Sequence, residues 1–145
     1  MASFEASVFI DAPVERVWAF HERDDVLQLL APSNVKVLRR EGGLKTGAEV
    51  EFLIPVGPLG IRWLARHTAY EQYRLFQDVQ VSGPFRSWVH NHRFVPEGRG
   101  TRLIDQVEFT LPLHPLSVVA HWAVRLQLGA MFRHRHEVTR RYCED

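Results

Sequence analysis

Residues 116–142 read LSVVAHWAVRLQLGAMFRHRHEVTRRY, 27 positions with no proline and a single glycine, Gly129. No turn cluster interrupts them, so the stretch predicts one helix of roughly 40 Å, long enough to cross a small domain. Pro115 and Ser117 stand where a helix begins, with Ser117 as a candidate N-cap. Val119, Trp122, Ala123, Leu126, Ala130 and Met131 recur at three- and four-residue spacing, which predicts that they form the buried face. Beyond Phe132 come Arg133, His134, Arg135, His136, Arg140 and Arg141, cations suited to the negative end of the helix dipole. His134 and His136 do not share a helix face and read as solvated. Gly129 costs about 1 kcal/mol against alanine in a helix, and its presence predicts a close neighbour.

The 145 residues bound the chain to one domain, 1–145, with a full core. A hydrophobic share of 46% with 24% charged residues fits a globular protein, not a disordered one. There is no apolar run long enough to span a membrane and no signal peptide at Met1, so a cytoplasmic location is expected; a transient membrane contact stays open. Cys143 is the single cysteine, so no internal disulfide can form, and its place beside the C-terminus makes it a poor candidate nucleophile. A net charge of +1, with basic residues scattered except at the C-terminus, argues against nucleic acid as the main partner, the terminal basic cluster leaving only a weak surface contact open.

Upstream of the long helix, Phe4, Ala6, Val8 and Ile10 alternate with Glu5, Ser7 and Phe9 as a half-buried strand. Asp11 (a candidate N-cap) and Pro13 open a short helix carrying Val17, Trp18 and Phe20, and a second covers Asp24 to Leu30. Six strands follow: 35–40, 48–54, 61–70, 75–81, 85–95 and 101–111. Turns rich in glycine and proline separate them, including Gly57, Gly83-Pro84 and Gly98-Arg99-Gly100. The order predicts an α+β fold, a seven-stranded antiparallel sheet whose apolar face the long helix covers. Such a sheet closes on its helix around either a packed core or a cavity.

Strand parity puts polar groups on the inward faces. Trp63 and His67 share a side, as do Trp88, His90, His92 and Phe94, and Leu103, Asp105, Val107 and Phe109; Phe76 and Asp78 share another. Loop lengths place His92 opposite Asp105, Trp88 opposite Phe109 and His67 opposite Asp78. They also place Phe76 opposite His90 and Asp78 opposite Trp88. An unpaired buried carboxylate costs several kcal/mol, so Asp78 and Asp105 require partners. Three arrangements satisfy this: a hydrogen-bonded His–Asp network inside a core, a ligand cavity with a few polar groups, or a metal site on His90, His92 and Asp105. The absence of thiolates weighs against zinc, and no metal or other cofactor is expected. There is no Gly-x-Ser-x-Gly nucleophile, which leaves water-mediated acid–base chemistry by His90 or His92, with Asp78 or Asp105 orienting it.

The run Phe76-x-Asp78-x-Gln80-x-x-Gly83-Pro84-Phe85-x-x-Trp88-x-His90-x-His92-x-Phe94, then Gly100-Thr101-x-x-x-Asp105, with Ala12-Pro13-x-x-x-Val17-Trp18-x-Phe20 near the start, resembles the SRPBCC ligand-binding proteins. These form the helix-grip superfamily of START lipid-transfer domains, plant pathogenesis-related allergens and polyketide cyclase/dehydrases. The resemblance implies a sheet wrapped around the C-terminal helix, enclosing a hydrophobic cavity that opens near the short helices and hairpin tips. It implies as cavity lining Trp63, His67, Phe76, Asp78, Trp88, His90, His92, Asp105, Phe109, Trp122 and Leu126. Arg133 and Arg135 read as surface or salt-bridge residues. A fold is not a function. The expected role is the binding or carrying of a small hydrophobic molecule, of lipid, isoprenoid, quinone or aromatic polyketide type. The alternatives are a cyclase/dehydratase using a His–Asp pair, or an interaction module. Oligomeric state is left open.

Overall fold

The structure, a computed structural model, describes residues 1–32, 34–56, 58–112 and 117–144. Gly57, Pro115 and Leu116, named above, lie outside the described residues. The elements run β1 (Ala2–Ile10), α1 (Val14–His21), α2 (Val26–Leu30), β2 (Lys36–Glu41), β3 (Glu49–Val56), β4 (Leu59–Glu71), β5 (Leu75–Ser82), β6 (Ser87–Glu97), β7 (Gly100–Thr110) and α3 (Ser117–Cys143). The seven strands form one antiparallel sheet in the order β1-β7-β6-β5-β4-β3-β2. Consecutive strands pair through hairpins from β2 to β7, and β1 closes the other edge by joining β7. This is the α+β architecture expected from the strand, helix and turn order, and the helix-grip arrangement that the resemblance implies.

Local chemistry explains the junctions. Where β1 leads into α1, the buried Thr101 hydroxyl donates to the Ala12 carbonyl at 2.9 Å and fixes the loop. Asp11 does not cap α1. Pro13 holds the cap position with no side-chain bond, and the Asp11 backbone N–H donates to Glu144 Oε2 at 2.8 Å. At the start of β7, a Cβ on Gly100 would strike the Phe9 ring and the Ile10 carbonyl, so only glycine lets β1 and β7 approach there.

The predicted strand registers hold for β6–β7, where Trp88 pairs with Phe109 and His92 with Asp105. His67 pairs with Asp78 on β4–β5 as expected, and past an irregularity between His67 and Ala69 the ladder continues with Tyr70 opposite Phe76. On β5–β6 the expectation is corrected by two residues: Phe76 pairs with His92 and Asp78 with His90. The ladder stops at Val79–Val89, because the Gln80 side chain takes over the turn. Its Nε2 donates to the Phe85 carbonyl at 2.7 Å, and its Oε1 accepts from the Phe85 N–H at 3.1 Å.

The long helix turns a different face inward from the one expected, and of the predicted stripe only Met131 is half-buried against the second apolar cluster. Leu128, Phe132, His136, Thr139 and Cys143 are buried, a set related by three- and four-residue steps. Val119, Trp122 and Leu126 point outward, 64%, 65% and 57% exposed, and Ala123 and Ala130 are exposed beside them. Nor does Gly129 touch a close neighbour: nothing lies within 4 Å of the place its Cβ would occupy. The physical reason is that α3 carries apolar residues on two opposite sides, and periodicity alone does not say which side meets the sheet.

Two apolar clusters fill the space between sheet and helices. One joins α1 and α2 to the far ends of β6 and β7, around Trp18, Phe20, Phe76, Phe94, Leu103 and Val138. The other gathers Trp88, Val107, Phe109, Leu128 and Phe132, with Trp63, Phe85, Leu111 and Val124 half-buried at its border. Between the two lies a layer of polar side chains.

Candidate functional site

That layer is built one residue per element turn. On β6 the inward order is Trp88, His90, His92, Phe94; on β7 it is Leu103, Asp105, Val107; on α3 it is Phe132 followed one turn later by His136. Asp78 on β5 and His67 on β4 complete it. His67, His90, His92, Asp105 and His136 are buried, and Asp78 is half-buried.

Asp105 is the hub. Its Oδ1 lies 2.7 Å from His90 Nε2 and 3.3 Å from His92 Nδ1, while its Oδ2 lies 2.6 Å from His136 Nε2. An ionised carboxylate only accepts, so each imidazole nitrogen bonded to it carries the hydrogen. His92 also donates from Nε2 to Asp78 Oδ2 at 2.9 Å. With both ring nitrogens facing carboxylates, His92 is the imidazolium of the layer. Burial alone would lower its pKa, but the bonds to Asp105 and Asp78 outweigh that and raise it. His90 goes the other way. Burial and the charge of His92 bring it down to about 4, against the pull of Asp105, so it is neutral. Burial pushes the Asp78 carboxyl up, yet the His92 bond and the neighbouring imidazoles carry it down to about 2. Burial works on Asp105 in the same direction, and its three imidazole donors overcome it, holding the carboxyl well below the usual range.

The rings stack as well as bond. His90 lies 3.6 Å from His92, His92 lies 4.0 Å from Phe76, and Phe76 lies 5.5 Å from His67, all stacked, with Phe132 edge-on to His90. His67 donates from Nδ1 to the Leu44 carbonyl at 2.8 Å, and burial lowers its pKa. Two histidines join the interior that sequence reading had not placed there. His136, expected in solvent, is a full member of the layer. The pattern that exposes it is its four-residue step from Phe132, which the surrounding arginines obscure. His21 on α1 is buried against Phe94 and donates to the Val17 carbonyl, and burial lowers its pKa to about 4.

Of the residues expected to line a cavity, His67, Phe76, Asp78, Trp88, His90, His92, Asp105 and Phe109 share the inner surface, with Trp63 half-buried at its edge. Trp122 and Leu126 do not; they lie on the outside of α3. Two open hollows lie at the surface of the described residues. One, of about 630 Å³, sits by Phe9, Asp11, Gly98, Arg99, Arg140 and Glu144. The other, of about 370 Å³, is a groove between β1 and α3 floored by Phe4, Ala6, Gly129 and His136. Asp78, His90 and His92 set one donor atom each within 4.8 Å of one another, a spacing that a divalent cation could bridge. To do so the ion would have to displace the proton that His92 shares with Asp78.

Comparison with known proteins places the fold. No curated protein sequence matches the chain. Among solved structures, a protein from Thermus thermophilus superposes with a TM-score of 0.74 at 19% identity, over 98% of this chain and 97% of that one. A nucleoside-diphosphate sugar epimerase from Corynebacterium glutamicum matches at 26% identity and TM-score 0.76, over 95% of this chain, which spans only 28% of the epimerase. The di-domain ARO/CYC StfQ from the steffimycin biosynthetic pathway gives a TM-score of 0.79 at 14% identity, over 98% of this chain and 50% of that one. The family described as polyketide cyclase / dehydrase and lipid transport matches residues 10–133, most of the sequence, and this chain belongs to it.

Proposed function

We propose that the protein binds and carries a small hydrophobic molecule, taken up between α3 and the aromatic end of the sheet. The observation that carries this reading is the border of the second apolar cluster. Trp63, Phe85, Leu111 and Val124 stay half-buried there, although burial of such side chains is worth roughly 1.5–3 kcal/mol each. α3 meets the middle strands through large side chains, Phe132 edge-on to His90 and His121 stacked on Phe109. A guest would lie over the half-buried Trp63, Phe85, Leu111 and Val124, where the aromatic end of the sheet meets α3. Such an aromatic and aliphatic surface suits an isoprenoid, a quinone, a lipid chain or an aromatic polyketide. The test is native mass spectrometry of the purified protein together with displacement of a fluorescent hydrophobic dye. Competition by one of those four classes supports the carrier, and failure of all four overturns it.

A second reading is favoured by one feature, the neutral His90 imidazole held by Asp105, which is the arrangement of an oriented general base. On that reading the protein is a cyclase or dehydratase with His90 or His92 as acid–base group and Asp105 or Asp78 as orienting partner. Turnover of an aromatic polyketide chain, lost in His90→Gln while dye binding persists, would establish it. Equal loss of both would reject it.

A further inference from the structure

We propose that the outer face of the N-terminal half of α3 docks on an anionic lipid bilayer. Val119, Trp122, Ala123, Leu126 and Ala130 fall within about 100° of the helix circumference, opposite the side that packs on the sheet. A helix with apolar residues on both sides is normally enclosed by protein, so an exposed second stripe needs its own partner. The same end of the sheet, where β3 turns into β4 and β7 leads towards α3, also exposes Leu59 at 71%.

Charge decides what that partner is. Residues 109–136 contain no aspartate or glutamate. Arg125 and Arg133 are exposed on α3, and neither has a carboxylate partner among the described residues. Arg86, exposed in the turn before β6, adds a third cation at that end. Tryptophan with arginine around an aliphatic stripe is the composition of an interfacial helix, whose ring and guanidinium groups sit at the headgroup level. A second copy of the chain is the rival occupant, but stable protein interfaces take roughly 20–30 residues a side, and this stripe has five. The helix would lie on the bilayer and not across it: no helix among the described residues is long and apolar enough to span one. Bilayer contact of this kind does not depend on what the interior holds.

The experiment is co-sedimentation with phosphatidylcholine vesicles, with and without phosphatidylglycerol, and tryptophan emission recorded on the same samples. Trp18 and Trp88 are buried and Trp63 half-buried, so a blue shift on vesicle addition reports Trp122. Wild type should bind the anionic vesicles in a salt-sensitive way and shift blue. The double variant Trp122→Ser, Leu126→Ser should bind about tenfold more weakly or worse. Arg125→Gln and Arg133→Gln should each cost roughly fivefold at low salt. Because these positions are exposed, far-ultraviolet circular dichroism should be unchanged in all of them. Equal binding to both vesicle types, or variants that partition like wild type, would overturn the assignment. So would a wild-type dimer in light scattering that the double variant converts to monomer, which would give the face to a second copy of the chain.

Discussion

Replacing Asp105 by asparagine tests the polar layer at its hub. The side chains have nearly the same shape, so the change opens no cavity and isolates charge and hydrogen-bond polarity. In the wild type one carboxylate faces His90 Nε2 at 2.7 Å, His92 Nδ1 at 3.3 Å and His136 Nε2 at 2.6 Å. Asparagine offers one acceptor oxygen, which in its better orientation still faces His90 and His92 but turns the N–H₂ group towards His136 Nε2, so that donor loses its acceptor and the buried His92 loses a counter-charge. Each buried donor left unpaired costs about 1–3 kcal/mol, and removing one member of a buried charged set about 3–5 kcal/mol. Part of this is returned because the carboxylate no longer has to be desolvated. We expect a net loss of about 3–5 kcal/mol, which a domain with ~5–15 kcal/mol of stability can survive. Urea denaturation followed by circular dichroism should show a lower midpoint at unchanged slope, with Tm down by roughly 6–20 °C at 2–4 °C per kcal/mol. A loss under about 1 kcal/mol would mean that the three imidazoles are satisfied without the carboxylate, and the hub reasoning would fail.

Folded His21 and His90 titrate near 4 while the unfolded chain titrates near 6.5, so between those values the unfolded state binds more protons. Stability should therefore fall on acidification from pH 6.5 towards 4, by up to roughly 1.4 kcal/mol per pH unit for each imidazole; a flat urea midpoint across that range would contradict it. His92, raised in the fold, has the opposite sign, its contribution being full below the unfolded value and lost as pH rises through the folded one. Gly129→Ala should stabilise by about 1 kcal/mol through helix propensity, since nothing stands within 4 Å of the new methyl, whereas Gly100→Ala should destabilise because its methyl meets Phe9 and the Ile10 carbonyl. Thermal melts of the two variants should move in opposite directions. Thr101→Val should lose about 1 kcal/mol by leaving the buried Ala12 carbonyl without its 2.9 Å donor, read as a lower urea midpoint.

Sequence by itself determined the order of the elements and the membership of most of the polar layer. Side chains alternate with period two along a strand, so parity assigned His67, Asp78, His90, His92 and Asp105 to one surface before any partner was known. The β5–β6 register lies two residues from the one loop length predicts, which changes partners and preserves faces. Tertiary structure decided what parity cannot reach. It chose which of two apolar stripes on α3 meets the sheet, sending Leu128 and Phe132 inward and Trp122 and Leu126 outward. With that rotation came His136, hidden among arginines in the sequence and brought to Asp105 from 31 residues away. A helix can satisfy its own backbone at any rotation about its axis, so its orientation is set only by what it packs against.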